Sequence, residues 1–217
     1  MAFEPLSQRR KSSLAKACQA YQDQLDEPAL QYLDTRGLRD SVGMHRFGVV
    51  RVPEPGHDQH VGRLAIPYLS PSGGVYDIRY RCMEPHDCKA EGHGKYMGDP
   101  GVKVRLYNTR ALVADTDYIF VAEGELDAAT LGTCGWPAVG VAGVNAWGTW
   151  DHRARLFDGF RDVIVTADGD EAGAGLGRAV VKSVPRARVV RMPGDVNSVF
   201  VAGGREALAR LFKEALS

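Results

Sequence analysis

The sequence predicts an α/β domain over residues 113–217, with a mostly parallel sheet of about four strands flanked by helices. A smaller α+β region over residues 1–112 precedes it. Three observations predict this. From residue 118 onward, apolar runs alternate four times with helical patterns, and strands that recur behind helices form a parallel sheet covered on both faces. Before residue 112 the rhythm differs: helical stripes come first, then short β-type runs separated by turn residues. Finally, 217 residues with 44% apolar and 25% charged side chains can bury a core without disulfides or a structural metal.

The elements follow in order. Within 12–39, Leu14, Ala17, Cys18, Tyr21 and Leu25 lie on one helical stripe. Asp26-Glu27-Pro28 marks a fresh helix start, because Pro is tolerated where the N–H needs no partner. Ala29, Leu30, Leu33 and Leu38 form its apolar face and Gly37 its stop. Residues 49–52, 63–68 and 75–80 read as strands, with a hairpin loop at Ser70–Gly74, and 82–101 as loop. Strands are then expected at 118–122, 138–141, 162–167 and 187–192. Helices are expected at 125–134, near 149–157, at 171–183 and at 205–216.

Several classes are excluded or disfavoured. Met1 to Lys11 is polar, unlike a secretory signal, and no run of 18 apolar residues could span a membrane. Cys18, Cys82, Cys88 and Cys134 are irregularly spaced, so a reducing cytoplasm is expected rather than a disulfide framework. The motor loop Gly-x4-Gly-Lys-Ser/Thr is absent. Gly173-x-Gly175-x-Gly177 reads as close packing behind an Asp-Gly-Asp turn. His45, His57, His60 and His152 have no partner that the sequence identifies.

Open α/β sheets bind ligands at the carboxyl ends of their strands. Here those ends are acidic: Glu123-Gly124-Glu125-Leu126-Asp127, Asp168-Gly169-Asp170-Glu171, and Asp195-Val196-Asn197. Asp168 and Asp170, two apart in extended backbone, point the same way. Carboxylates aimed at one spot repel unless a cation or proton sits between them. Oxygen ligands of this kind favour Mg2+ or Mn2+ over zinc. Acids at strand ends also cap helices, a reading that suits Asp127 and Glu171 taken singly.

Glu-Gly-Glu-Leu-Asp after a buried strand, with Ala-Asp-Gly-Asp-Glu-Ala-Gly about 40 residues on, resembles the Toprim domain of primases, topoisomerases and some nucleases. The resemblance implies a Mg2+ site in which Glu123, Asp168 and Asp170 are catalytic ligands. It adds Asp127 and Asp195 as further metal-site acids. Asn197 stands where primases often carry another Asp, and its amide oxygen can still coordinate. Ala29-Leu30-Gln31-Tyr32-Leu33-Asp34-Thr35-Arg36-Gly37-Leu38, His45-Arg46-Phe47-Gly48, Gly62-Arg63-Leu64-Ala65-Ile66-Pro67, Arg81 and Lys95-Tyr96-Met97-Gly98-Asp99-Pro100 resemble, in order, the catalytic core of bacterial and phage primases. That resemblance implies nucleotide or template binding by Arg81, Lys95, Arg79 and Arg63.

The balance of 27 basic and 27 acidic residues argues, at first, against a nucleic-acid binder. The local count differs. Residues 79–110 hold seven basic side chains, among them Lys89, Lys103, Arg105 and Arg110, against Glu84, Asp87, Glu91 and Asp99. Tyr80, Tyr96 and Tyr107 are interleaved, as stacking surfaces for bases would be. Cys82, His86, Cys88 and His93 could hold zinc by ligand type. Their spacing is not that of a finger and all four come from one short loop, so a metal-free loop is expected.

The expected function is primer synthesis: short RNA made on single-stranded DNA from ribonucleoside triphosphates, with Mg2+ or Mn2+. The alternatives are a Toprim nuclease or nicking enzyme and a non-catalytic single-strand-binding module. The resemblance also implies a zinc-ribbon template reader and a replicative helicase as separate partners, no membrane partner, and a bacterial host's cytoplasm if the chain is phage-encoded.

Overall fold

The computed structural model describes residues 6–102, 105–142, 144–147, 151–213 and 215–216. Two compact units emerge: Met1–Asp34 with Arg39–Lys103, and Thr35–Leu38 with Val104–Ser217.

In the first unit, α1 (Gln8–Asp23) starts where the Ser7 hydroxyl accepts the Arg10 N–H at 3.2 Å. α2 (Glu27–Thr35) and the single turn α3 (Val42–His45) follow. Strands β1 (Gly48–Val49), β2 (Leu64–Leu69), β3 (Val75–Arg81) and β4 (Tyr96–Met97) form an antiparallel sheet in sequence order. The predicted stripe Leu14, Ala17, Cys18 and Tyr21 is buried against Ala65, Ile78 and Tyr80. The Ser70–Gly74 loop closes as expected, with Ser70 N–H donating to Gly74 O at 2.8 Å.

In the second unit, chain order runs β5 (Leu106–Tyr107), β6 (Tyr118–Ala122), α4 (Glu125–Thr133), β7 (Ala138–Val141) and α5 (Val144–Trp147). It continues through β8 (Asp162–Ala167), α6 (Glu171–Ser183), β9 (Arg188–Arg191) and α7 (Val196–Phe212). The sheet order is β5-β7-β6-β8-β9, parallel except for β5. Strand residues alternate between two cores. Ile119, Val121, Val163 and Val165 meet Leu176 and Val180 of α6 on one face. On the other, the Phe120 ring lies 4.7 Å from Phe212 of α7. Edge strand β9 is half charged, with Arg188 and Arg191 exposed, which discourages pairing with another chain.

Several expectations change. The strand expected at 49–52 is β1, Gly48–Val49. The 82–101 segment is not all loop, because Tyr96 and Met97 pair with Arg81 and Tyr80 as β4. The sheet has five strands, not about four, because Leu106–Tyr107 pairs with Val141 and Gly140. Two residues are too few for periodicity to register. The last helix starts at Val196 rather than 205: Asp195 caps it, accepting the Ser198 N–H at 2.6 Å, and Gly204 at φ 64° kinks it midway. The helix expected near 149–157 is a 3-10 segment, Asp151–Phe157, while residues 148–150 lie outside the described residues. No helix among the described residues is long and apolar enough to cross a membrane.

Candidate active site

The topology dictates where a ligand can sit. From β6 the chain crosses to β7 on one side, then returns to β8 on the other. The crossovers diverge at the carboxyl ends of β6 and β8, which opens a crevice there. The register sets Ala122 beside Thr166 and Ala167 beside Arg191. Glu123, Asp168 and the turn leading to Asp195 therefore leave three adjacent strands at one end of the sheet.

The acids there repel one another. Burial, then the charges of Asp127, Glu123, Asp195 and Asp170, push the Asp168 carboxyl up to about 7. Burial, then Asp170 and Asp127, raise Glu123. Each also has one buried oxygen with no hydrogen-bond partner, Asp168 Oδ1 and Glu123 Oε2. Buried acceptors are normally satisfied, and exceptions call for an explanation. A hard divalent cation provides one: it accepts several carboxylate oxygens and removes their repulsion. By donor chemistry the residues present fit Mg2+ or Mn2+. The carboxylates are not drawn to a single point. Among the described residues, the ligand atoms that do gather so tightly lie in the 82–93 loop.

The other acids are partly committed to the backbone. Asp170 Oδ1 accepts the Gly173 N–H at 2.9 Å and caps α6, while Asp195 caps α7. Asp127 Oδ1 accepts the Asn197 N–H at 2.9 Å, tying α4 to the start of α7. Asp170 and Asp195 are thus helix caps, and Asp127 is a tie between two helices.

Asn197 is bonded to protein groups on both sides of its amide. It is 2% exposed, its amide N–H groups donate to Arg36 O at 2.8 Å and Thr130 Oγ1 at 2.9 Å, and its oxygen faces Arg36 Nη1 at 3.4 Å. The residue that stands in an acidic position of the resembled family is here a structural tie.

A groove of about 780 Å³ opens beside Asp168 and Asp170 and is lined also by Arg178, Lys182 and Arg191. No motif in the sequence singles out these cations. Arg178 and Lys182 are one helical turn apart on α6, and that spacing behind the Asp-Gly-Asp turn was the available signal.

The cations proposed from sequence lie in the first unit. Arg81 is 6% exposed, sandwiched between Tyr32 and Tyr96, and donates to both hydroxyls. Arg63 is also buried, donating to Gly94 O at 3.0 Å. Arg79 is half-buried with Nε donating to Met97 O at 3.2 Å, and Lys95 is exposed. Lys103 lies outside the described residues.

The same unit holds a polar cluster that the sequence did not reveal. Asp99 meets Arg10 Nη2 at 2.5 Å, His60 Nε2 at 3.5 Å and His57 Nε2 at 3.6 Å. His57 Nδ1 lies 2.6 Å from the Tyr21 hydroxyl, and His60 stacks on Tyr80 with centroids 3.7 Å apart. Burial would raise the Asp99 pKa, but the hydrogen bonds of His57 and Arg10 outweigh it and hold the carboxyl at about 2. The partners are 39 to 89 residues distant in sequence, beyond any local pattern. His152 lies outside the described side chains.

No family model matches the chain. Among solved structures, it is similar to a DNA primase domain from Pseudomonas aeruginosa. The two share 20% identity, with 95% of this chain and 78% of that one covered, at a TM-score of 0.75. It is also similar to a DnaG primase catalytic domain bound to single-stranded DNA, at 20% identity, with 96% and 79% covered and a TM-score of 0.74. These likenesses establish the fold as that of the DnaG primase catalytic cores. Among curated proteins, it is 44% identical over 153 residues to the Gene 57 protein of Mycobacterium phage D29, covering 68% of this chain and 95% of that protein. By that likeness, the chain belongs to the family of the phage D29 Gene 57 protein.

Proposed function

We propose that this chain is the catalytic core of a DNA primase, joining ribonucleotides into short primers on single-stranded DNA by Mg2+- or Mn2+-dependent nucleotidyl transfer. The observation that carries the reading is the set of mutually repelling acids, two with unsatisfied buried oxygens, at the sheet's switch point. The shared fold with primase cores supports it.

Glu123, Asp168 and Asp170 would hold the metal, with Asp195 and Asp127 as further acids beside it. A divalent ion bound there polarises phosphate oxygens and lowers the pKa of an attacking hydroxyl. The residues themselves do the positioning. Asp170 and Asp195 are held at fixed angles by their own helix caps. Asp127 is held by the Asn197 N–H. The proton that Asp168 retains near neutrality must leave before that carboxylate can ligate. Arg178, Lys182 and Arg191 supply cations for a triphosphate along the adjoining groove.

In this reading the α/β half, 113–217, carries the chemistry and the α+β half, 1–112, carries template and nucleotide contacts. Lys95 and Arg79 reach phosphates, while the buried Arg81 and Arg63 hold the strands that present them. A zinc-ribbon template reader and a helicase would act as partners.

The test is incubation with single-stranded DNA, labelled ribonucleotides and Mg2+ or Mn2+. Short RNA products that fall about 100-fold or more in Asp168→Ala are expected, since a lost metal contact costs several kcal/mol of transition-state stabilisation. Template cleavage instead would make the chain a nuclease. Binding without chemistry would make it a single-strand-binding module.

A further inference from the structure

The connection between β3 and β4 brings four soft or borderline donors together. Cys82, His86, Cys88 and His93 each offer one ligand atom, and these atoms all lie within 4.8 Å of one another. Cys82 Sγ stands 3.6 Å from His86 Nε2, and His86 Nε2 stands 3.0 Å from His93 Nε2. The two imidazoles are inclined at 68°, edge to face, with their centroids 4.9 Å apart.

We infer that these four side chains form a structural zinc site within the first unit. A tetrahedron with Zn–S of about 2.3 Å and Zn–N of about 2.05 Å has S···N edges of about 3.6 Å and N···N edges of about 3.3 Å. The 3.6 Å edge agrees, the 3.0 Å edge is a few tenths short, and the 4.8 Å spread of the four atoms closes by about 1 Å when they meet one ion. Two thiols and two imidazoles select zinc over Mg2+, Ca2+ or Mn2+, which prefer oxygen. Four protein ligands leave no open position, so the site is structural rather than catalytic.

The backbone is shaped for this. His93 N–H donates to Cys88 O at 2.9 Å and Gly92 N–H to Lys89 O at 3.2 Å, with Gly92 at φ 74°. These bonds fold 88–93 into a tight knuckle. Cys82 N–H donates to Lys95 O at 2.9 Å, extending the β3–β4 pairing to the loop's two ends. His93 turns Nδ1 toward Gly94 O at 3.2 Å, the kind of carbonyl partner that orients a zinc-bound imidazole. Arg63 braces the corner through Nη1, which donates to Gly94 O at 3.0 Å; its Nη2, 3.1 Å from His93 Nδ1, can donate there only while Nδ1 carries no proton. With metal on Nε2, the Nδ1 proton goes to Gly94 O and Arg63 keeps the carbonyl alone.

The sequence favoured a metal-free loop, because its spacing fits no finger. Spacing is a poor guide here: the hairpin ends are pinned by strand pairing, so a short loop can present four ligands without a finger's helix. A zinc at this point would clamp the hairpin that carries Arg81 and Lys95. The inference does not depend on the primase reading.

The test uses the whole chain, purified without a metal-binding tag. Zinc content is measured by mass spectrometry, and Zn2+ is then exchanged for Co2+. Expected are about one zinc per chain and, with Co2+, intense visible bands plus near-ultraviolet sulfur charge transfer, the signature of a four-coordinate thiolate site. Cys82→Ser and Cys88→Ser should lose both. His86 is exposed, so His86→Ala should fold and lower the zinc affinity more than tenfold in competition with a chromophoric chelator. Asp168→Asn should keep the zinc, which separates this site from the acids. Less than about a tenth of a zinc per chain after Zn2+ exposure would overturn the inference. So would a Cys82–Cys88 disulfide in the isolated chain, or unchanged affinity in His86→Ala.

Discussion

Gly173 stands directly against the backbone of Asp168: a Cβ at position 173 would lie 2.4 Å from the Asp168 nitrogen and 2.5 Å from its carbonyl oxygen. The first turn of α6 can therefore cross close behind the Asp-Gly-Asp turn, which aims Asp168 and lets Asp170 cap the helix. Gly173→Ala should cost roughly 1–3 kcal/mol, because neither partner is a flexible side chain that can give way. Urea unfolding checks the stability. Activity should fall further than the stability loss alone accounts for, because Asp168 is displaced.

Asp170 has two tasks that separate by substitution. Asn caps a helix about as well as Asp, whereas Ala gives up about 1 kcal/mol. Asp170→Asn should melt near the wild-type temperature yet lose primer synthesis. Asp170→Ala should lose both. Thermal melts alongside the incorporation assay distinguish them.

Asp168 should destabilise the metal-free chain. Its folded pKa of about 7 lies above the ordinary 3.8, so the folded state binds the proton more tightly than the unfolded state. The resulting penalty develops as pH rises from about 4 to about 7 and is complete above that. In chelator at pH 8, Asp168→Asn should therefore be more stable than wild type, by on the order of 1–2 kcal/mol once solvent screening is allowed for. At pH 4 the gain should vanish.

Asp99 carries the opposite sign. Its folded pKa is held at about 2, below 3.8, so its stabilisation is present above about pH 4 and is lost as pH falls toward 2. Asp99→Asn should cost roughly 2 kcal/mol at pH 7 and flatten the acid limb of the stability curve. Denaturant titrations from pH 2 to 7 provide the check.

Much of this was legible in sequence. The strands at 118–122, 138–141 and 162–167 and the helix 171–183 lie where apolar runs and the Asp-Gly-Asp turn put them, because a parallel sheet buried on both faces writes continuous apolar runs. Strand ends also showed Glu123 and Asp168. What sequence could not show depends on distance. The Leu106–Tyr107 edge strand exists only through its pairing with β7. The Asp99 cluster draws on α1, the 57–60 turn and the segment after β4. Arg81 carried the mark of a phosphate-gripping residue, yet two tyrosines from separate elements bury it.

In the proposed function, Glu123, Asp168 and Asp170 form one divalent-metal site. Mn2+ titration followed by electron paramagnetic resonance tests it most directly, because free and bound Mn2+ give separable signals. Saturable binding at pH 8 that weakens at least tenfold in both Glu123→Gln and Asp168→Asn is the predicted result. Wild-type Mn2+ affinity in both variants would contradict it.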